Sequence, residues 1–362
     1  MCVFSNIRRA SITWWVGAAM GVLLLASGRA TAEIELPSGF TARVYVTGDG
    51  FDANGAGTGR GIPSTSTLTV DRSGALYLAR TGRRYFAGSE VEDIWPLYRI
   101  PVGGARITPD TEASFLYGPP LPNAQIGAMR DGRELFVTTY DRERKLGVLY
   151  RIVDGRAEFV AGGTPERGRP PLLRQPEGVA VAAGGGSYVA DRAEGVIVRL
   201  DPTGRVLDPR FVAVTRPRVL ALDGSGSLWI GSDGSAEAPW QQGPGEILEV
   251  TPEGASRVVM RGPVAQAIGM SPGGHLIVAD RQSGQLFAVT REGGRIDLLR
   301  FTDGDAPRGL AFAPITPETQ RAGIAGDLFV VVIHRGAFAI NEVLRISGPL
   351  DELIRARRAS AR

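Results

Sequence analysis

The 362-residue chain predicts an all-β fold, a six-bladed β-propeller, on three observations. First, one short paragraph of sequence recurs. It is plainest as Gln175-Pro176-Glu177-Gly178-Val179-Ala180-Val181, a small-residue turn, Ser187-Tyr188-Val189-Ala190-Asp191, then Gly195-Val196-Ile197-Val198-Arg199-Leu200-Asp201. It returns from Arg216, from Gln266 and from Ala306. A period of roughly 40 to 50 residues is the length of a blade of four short strands, which cannot bury its faces without neighbours. Second, short apolar runs between glycine-rich turns, with no period of about 3.6, read as strands throughout. Third, Tyr77, Phe136, Tyr188, Trp229, Ile277 and Phe329 align in one column as the second strands of six blades, each after a turn such as Asp71-Arg72-Ser73-Gly74 or Pro272-Gly273-Gly274.

The elements follow in order. Residues 1–32 have the layout of a secretory signal: Arg8 and Arg9, an apolar run from Ile12 to Ala26, then Ala30-Thr31-Ala32 as a cleavage site. The run is short for a membrane span, and no later segment is long and apolar enough, so no span is expected after cleavage. Residues 33–348 form one propeller, because a cut between blades would expose the sheet faces that neighbours bury. Third strands fall at Leu97–Ile100, Val148–Ile152, Val196–Leu200, Ile247–Val250, Leu286–Val289 and Val343–Ile346, and outer strands follow for five blades. The sixth ends at Ile346, so Thr41–Val46, which precedes the first blade unpaired, is expected to close the ring beside residues 343–346 and leave fewer open edges. Residues 349–362, with Arg355, Arg357, Arg358 and Arg362, read as a solvated Arg-rich tail.

Composition narrows the setting. The net charge of +3 resides in the signal: three of the 41 basic residues lie there and none of the 38 acidic ones, leaving the mature chain balanced at 38 against 38. Nothing in that balance favours nucleic acid. Cys2, the single cysteine, departs with the signal, so the mature protein has no disulfides and a periplasmic or secreted location is expected.

In a propeller the inner strands meet at a central funnel, and the position of Glu177 faces the axis from every blade. That column reads Ser66, Gln125, Glu177, Arg218, Gln266 and Arg308. One reading is that Arg and Glu satisfy each other around a watery channel. The other is a site for a small polar or anionic ligand, held by Arg218 and Arg308 through bidentate hydrogen bonds, with Gln125 and Gln266 as neutral contacts. Three long loops should open on the same face, bearing Arg83, Arg84, Tyr85, Phe86 and Trp95, then Trp240, then His334, Phe338 and Asn341. The glycine-rich stretch Gly48–Gly61 reads as a lid or linker. There is no mature cysteine and no Gly-x-Ser-x-Gly elbow, and His275 and His334 are too few for an imidazole metal cluster. His275 sits in a strand-entry turn, whereas His334 ends the apolar run Leu328–Ile333 and is placed to act as a base.

Both ends of the chain resemble the quinoprotein sugar dehydrogenases of the sorbosone and glucose type, which use pyrroloquinoline quinone (PQQ). Leu36-Pro37-Ser38-Gly39-Phe40 running into Val44-Tyr45 is similar to their entry strand. Pro307-Arg308-Gly309-Leu310-Ala311-Phe312, Ala325-Gly326-Asp327-Leu328-Phe329-Val330 and then His334, Gly336 and Asn341 are similar to their last blade. The middle blades instead resemble NHL repeats and the gluconolactonase/regucalcin family. The quinoprotein resemblance implies PQQ, with calcium, as cofactor, an arginine beside the quinone and a histidine base. Arg174-Gln175-Pro176-Glu177-Gly178 is similar to the arginine-containing motif, which makes Arg174 the carried-over arginine. No histidine stands in the inner column, so Glu177 or His334 would be the substitute base. The lactonase resemblance implies calcium on a Glu, Asn and Asp set, of which the column supplies only Glu177, opposed by Arg218 and Arg308. Three functions remain open: a quinoprotein-like oxidoreductase, a noncatalytic propeller that binds a periplasmic protein, and a gluconolactonase-like hydrolase.

Overall fold

The computed structural model describes residues 34–51, 61–63, 65–80, 94–141, 143–235, 243–333 and 340–360. Within them the chain forms six sheets of at least four strands, in each of which the first three strands follow the sequence outward, antiparallel, from an inner strand. The inner strands are Thr65–Val70, Gln125–Arg130, Pro176–Val181, Pro217–Leu222, Ala265–Met270 and Ala306–Phe312. Each packs on the next, and the sixth packs on the first, so the ring is closed. The expected propeller is therefore the observed fold.

Alternation along the strands explains why the ring is stable. Successive side chains of a strand point to opposite faces, so each blade serves two interfaces at once. Leu76 and Leu78 pack toward the sixth blade with Tyr45, Phe329 and Val343, while their neighbour Tyr77 packs toward the second with Ile126 and Val137. Leu228 and Ile230 likewise face the third blade and Trp229 the fifth. The hydrophobic core is thus divided into clusters between blades rather than gathered at a centre. The turns that flag each second strand also have a physical cause. Asp71 Oδ1 accepts from the backbone N–H groups of Ser73 and Ala75 at 2.8 and 3.0 Å, and Asp223 Oδ1 does the same for Ser225 and Ser227 at 2.9 and 3.1 Å.

The last blade closes as expected. Thr41–Gly48 lies antiparallel to Ile340–Ser347, with Ala42 opposite Ile346, Val44 opposite Leu344 and Val46 opposite Val343. Two additions were not foreseen. Ala105–Ile107, from the turn between the outer strands of the first blade, pairs in parallel with Val46–Gly48 and covers the sixth blade's edge. Ile34–Glu35 pairs with Arg300–Phe301 and covers the fifth.

Two expectations are corrected. Residues 350–360 are not an irregular tail: Leu350–Ser360 is a helix whose Leu350 and Ile354 are buried against the fifth and sixth blades, while Arg355 and Arg357 are exposed as expected and Arg362 lies outside the described residues. Asp351 in its first turn accepts from Ser271 Oγ and, at 2.8 Å, from Gly273 N, and Arg358 reaches Glu292 at 3.2 Å. Three apolar residues among four arginines gave the segment a charged look that hid its buried face. Trp95 is no loop residue either; it belongs to the strand Ile94–Ile100, with the Arg80 guanidinium 3.7 Å from its ring centroid. Arg83, Arg84, Tyr85, Phe86, Trp240, His334, Phe338 and the signal lie outside the described residues.

The inner strands approach so closely that the recurring glycine is required by contact. A Cβ on Gly178 would stand 2.5 Å from the Arg218 carbonyl oxygen, and one on Gly309 2.1 Å from that of Ser66, both on the adjacent blade. Gly309→Ala should therefore cost about 1–3 kcal/mol or more, because backbone cannot yield as a side chain can. A denaturant midpoint unchanged from the parent would contradict this crowding.

Candidate functional site

The axial column is built by a defect repeated in the sheets. In each blade the inner strand pairs regularly with the second strand and then slips register near its axial end. The slip falls between Thr65 and Leu68, Pro176 and Val179, Pro217 and Val219, Ala265 and Ala267, and Pro307 and Gly309. Ser66, Glu177, Arg218, Gln266 and Arg308 occupy these bulges. A bulge takes its residue out of the pleat's alternation and re-aims its side chain, here away from the inter-blade cores. The second blade differs, because its slip falls at Gly127, two residues later, and Gln125 stays paired with Thr138. Gln125 still joins the column: its Oε1 accepts from Ser66 Oγ at 3.2 Å.

Arg218 bridges two blades. Its Nε donates to Asp233 Oδ1 at 2.7 Å, and its Nη1 donates to the Gln266 carbonyl at 3.1 Å. Nη2 donates to the Ala265 carbonyl. Asp233 is fully buried and accepts from a second cation, Arg192, whose Nη2 stands 3.0 Å from Oδ2. Glu177 lies beside this group, half-buried. Burial raises its carboxyl above the ordinary carboxylate range; Arg218 and Arg192 oppose the rise, Asp233 adds to it, and Gln175 Nε2, donating to Oε1 at 3.1 Å, opposes it again. Arg174 takes no part in this balance. Its Nε is 2.8 Å from Glu194 Oε1 near the surface, and its backbone N–H donates to Asp191.

On the other side of the axis the balance is cationic. Arg308 Nη1 reaches Asn341 Oδ1 at 3.4 Å, an amide that also accepts from Thr65 N at 2.8 Å. Burial first, and the charge of Arg281 second, lower the Arg308 guanidinium to about 9. Arg281 is itself lowered by burial and by the charge of Arg218, and it makes no hydrogen bond or ion pair among the described residues. At the bulge opposite that turn, Gln266 Oε1 is buried without a hydrogen-bond partner among the described residues.

Sequence reasoning missed Arg192, Asp233 and Arg281, which stand at a second aligned position in the third, fourth and fifth blades. They hold one position in the repeat, immediately after the second strand, because Asp191, Ser232 and Asp280 pair with Pro176, Pro217 and Ala265 just before the bulges. Aligning that position as well as the inner column would have found them. It also contains His334, which follows Ile333, the partner of Ala306.

Among the described residues no group of three or more His, Cys, Asp or Glu side chains is placed to hold a metal ion. Of the two funnel carboxylates named here, Asp233 is already shared by two guanidiniums, so the donor set does not fit calcium.

No protein-family model matches the chain, and no curated protein matches it. Solved structures do. A structural-genomics target provisionally called a gluconolactonase aligns over 87% of this chain and 94% of its own at 15% identity, with a TM-score of 0.55. A gluconolactonase from Xanthomonas campestris aligns over 80% and 87% at 13% identity, TM-score 0.54. The PQQ-bound aldose sugar dehydrogenase of Streptomyces coelicolor aligns over 86% and 100% at 13% identity, TM-score 0.48. The first two likenesses establish a shared six-bladed architecture, a fold that hosts many chemistries.

Proposed function

We propose that this protein is an exported propeller that binds a small organic anion in its axial funnel, with the negative end held by Arg281 and Arg308 on the side of the fifth and sixth blades. The observation that carries this reading is the half-buried guanidinium of Arg281, which has no partner among the described residues and is flanked by two further cations. Burying an unpaired charge is expensive, and a bound anion removes the cost. Residues 1–32 support export to the periplasm or beyond. Glu177, whose carboxyl burial raises above the ordinary carboxylate range, is the group available for proton transfer if the ligand reacts. PQQ is a ligand of the right kind: Arg281 and Arg308 would hold its carboxylates, and when bound it supplies a hydride acceptor. A gluconolactonase-like hydrolase dependent on calcium is disfavoured by the donor set.

The test is calorimetric titration of the mature protein with acetate, inorganic phosphate and PQQ. Losing one charged hydrogen-bond partner should weaken binding by about 1.5–3 kcal/mol, so Arg281→Gln should lower affinity about 10- to 150-fold with little change in melting temperature. A variant that binds every anion like its parent would sink the reading.

The pH dependence has a definite sign. Glu177 is raised, so protonation removes a negative charge from the funnel as pH falls through its titration, and anion affinity should rise there. Stability tied to Glu177 is likewise present at low pH and lost as pH rises through the raised value. Arg308 is lowered to about 9, so affinity should decline as pH rises past it and the cation is lost. A profile flat from the acid range to pH 10 would be inconsistent with both groups facing the ligand.

A further inference from the structure

We infer that the anion is a small monocarboxylate carrying a hydroxyl on the neighbouring carbon, the carboxylate taken by Arg281 and the hydroxyl read by Gln266; this rests on the anion-binding reading of the funnel. Two independent features meet in the fifth blade. Arg281 follows Asp280, which pairs with Ala265, the residue before Gln266, so the cation and the amide flank the same bulge. Arg218 fixes that bulge from the fourth blade by donating to the carbonyls of Ala265 and Gln266. The backbone under the amide is therefore pinned, while the amide oxygen itself is buried and has no partner among the described residues.

A buried acceptor with no donor is uncommon and costly, and a ligand donor is the natural remedy. The donor must arrive together with negative charge, because the amide and the cation flank the same bulge. A hydroxyl next to a carboxylate has that spacing. Arg192 and Arg218 already share Asp233, whereas Arg281 has no counterion among the described residues, and a single carboxylate is enough to give it one.

The discrimination expected is large for so small a difference. A site whose buried polar group is satisfied only by a ligand hydroxyl rejects the analogue lacking it far better than an apolar pocket rejects an extra group. Lactate and propionate differ by that hydroxyl alone. In titrations of the mature protein, lactate should bind about tenfold or more tighter than propionate. Gln266→Leu should erase the difference while leaving propionate affinity unchanged, and Arg281→Gln should weaken both ligands alike. Because Gln266→Leu could disturb the bulge, Gln266→Glu serves as a second variant: nearly isosteric, it sets a carboxylate beside Arg281 and should abolish binding of both acids without lowering the melting temperature. If the parent binds lactate and propionate equally, hydroxyl recognition is wrong and the anion site stands. If neither acid binds and Arg281→Gln changes no anion's affinity, both fall together.

Discussion

A mature chain that lacks residues 33–47 is expected to lose its cooperative unfolding transition and to aggregate. The deleted segment is the outer strand of the sixth blade, and its partner Ile340–Ser347 would be left with bare backbone along one edge. Tyr45 and Val46 are almost wholly buried; the Tyr45 ring packs edge-on to Phe329 at 4.8 Å between centroids, and its hydroxyl accepts from Gly103 N at 3.0 Å. Burial of such side chains is worth roughly 1.5–3 kcal/mol each. The parallel strand Ala105–Ile107 would also lose its anchor. Set against a total stability of about 5–15 kcal/mol, these losses remove most of the margin. The check is a thermal melt followed by circular dichroism, with gel filtration for aggregation. A truncated chain that melts cooperatively near the parent temperature would show that the ring holds with a three-stranded last blade. Restoring the deleted segment as a separate peptide should rescue the transition, because the register with residues 343–347 is set by the apolar faces of Ala42, Val44 and Val46.

That closure was legible before any coordinates because it is a matter of counting: five blades show an outer strand, the sixth does not, and one strand stands unpaired at the front. The inner column was legible for a similar reason, since the repeat aligns Glu177 with Arg218, Gln266 and Arg308 and the topology carries aligned positions to one place. What the repeat could not reveal is which charges neutralise which. The column alone assigns Arg218 to an external ligand, but Asp233, a residue of a different column, holds it from inside the protein. Arg281 stands outside the aligned inner column, just after the second strand, and the neighbouring Asp280 does not neutralise it, because that carboxylate accepts from Gln282 N and Ser283 Oγ within its own turn. The C-terminal helix was missed because two buried side chains one turn apart, Leu350 and Ile354, are too weak a period to stand out among arginines. Long-range pairings that begin and end in short segments, such as Ala105–Ile107 against Val46–Gly48, leave almost no trace in local sequence.

Replacing Asp233 should move stability and ligand affinity in opposite directions. Its carboxylate is buried and satisfies Arg218 and Arg192 together, so Asp233→Ala leaves two interior guanidiniums with one fewer acceptor each. Removing one partner of a buried ion pair costs about 3–5 kcal/mol, chiefly because the surviving charge stays desolvated. Some of that cost should be recovered by Glu177. Asp233 is one of the influences that raise the Glu177 carboxyl, so without it Glu177 ionises more readily and can take over part of the role toward Arg218. Arg218 also keeps its bonds to the Ala265 and Gln266 carbonyls, which hold the bulge of the fifth blade in place. The variant should therefore fold with a lowered denaturant midpoint rather than collapse. Its funnel has lost a negative charge, and an anion entering it meets Arg192, Arg218 and Arg281 together, so acetate should bind several-fold tighter than to the parent. Asp233→Asn keeps the shape and one acceptor oxygen and should fall between the two in stability while showing the same gain in affinity. If both variants lose stability and bind anions no better, Asp233 is only a structural counterion and the charge it screens does not face the ligand. If they lose stability and bind anions more tightly, the same two arginines that the fold neutralises are the ones the ligand feels.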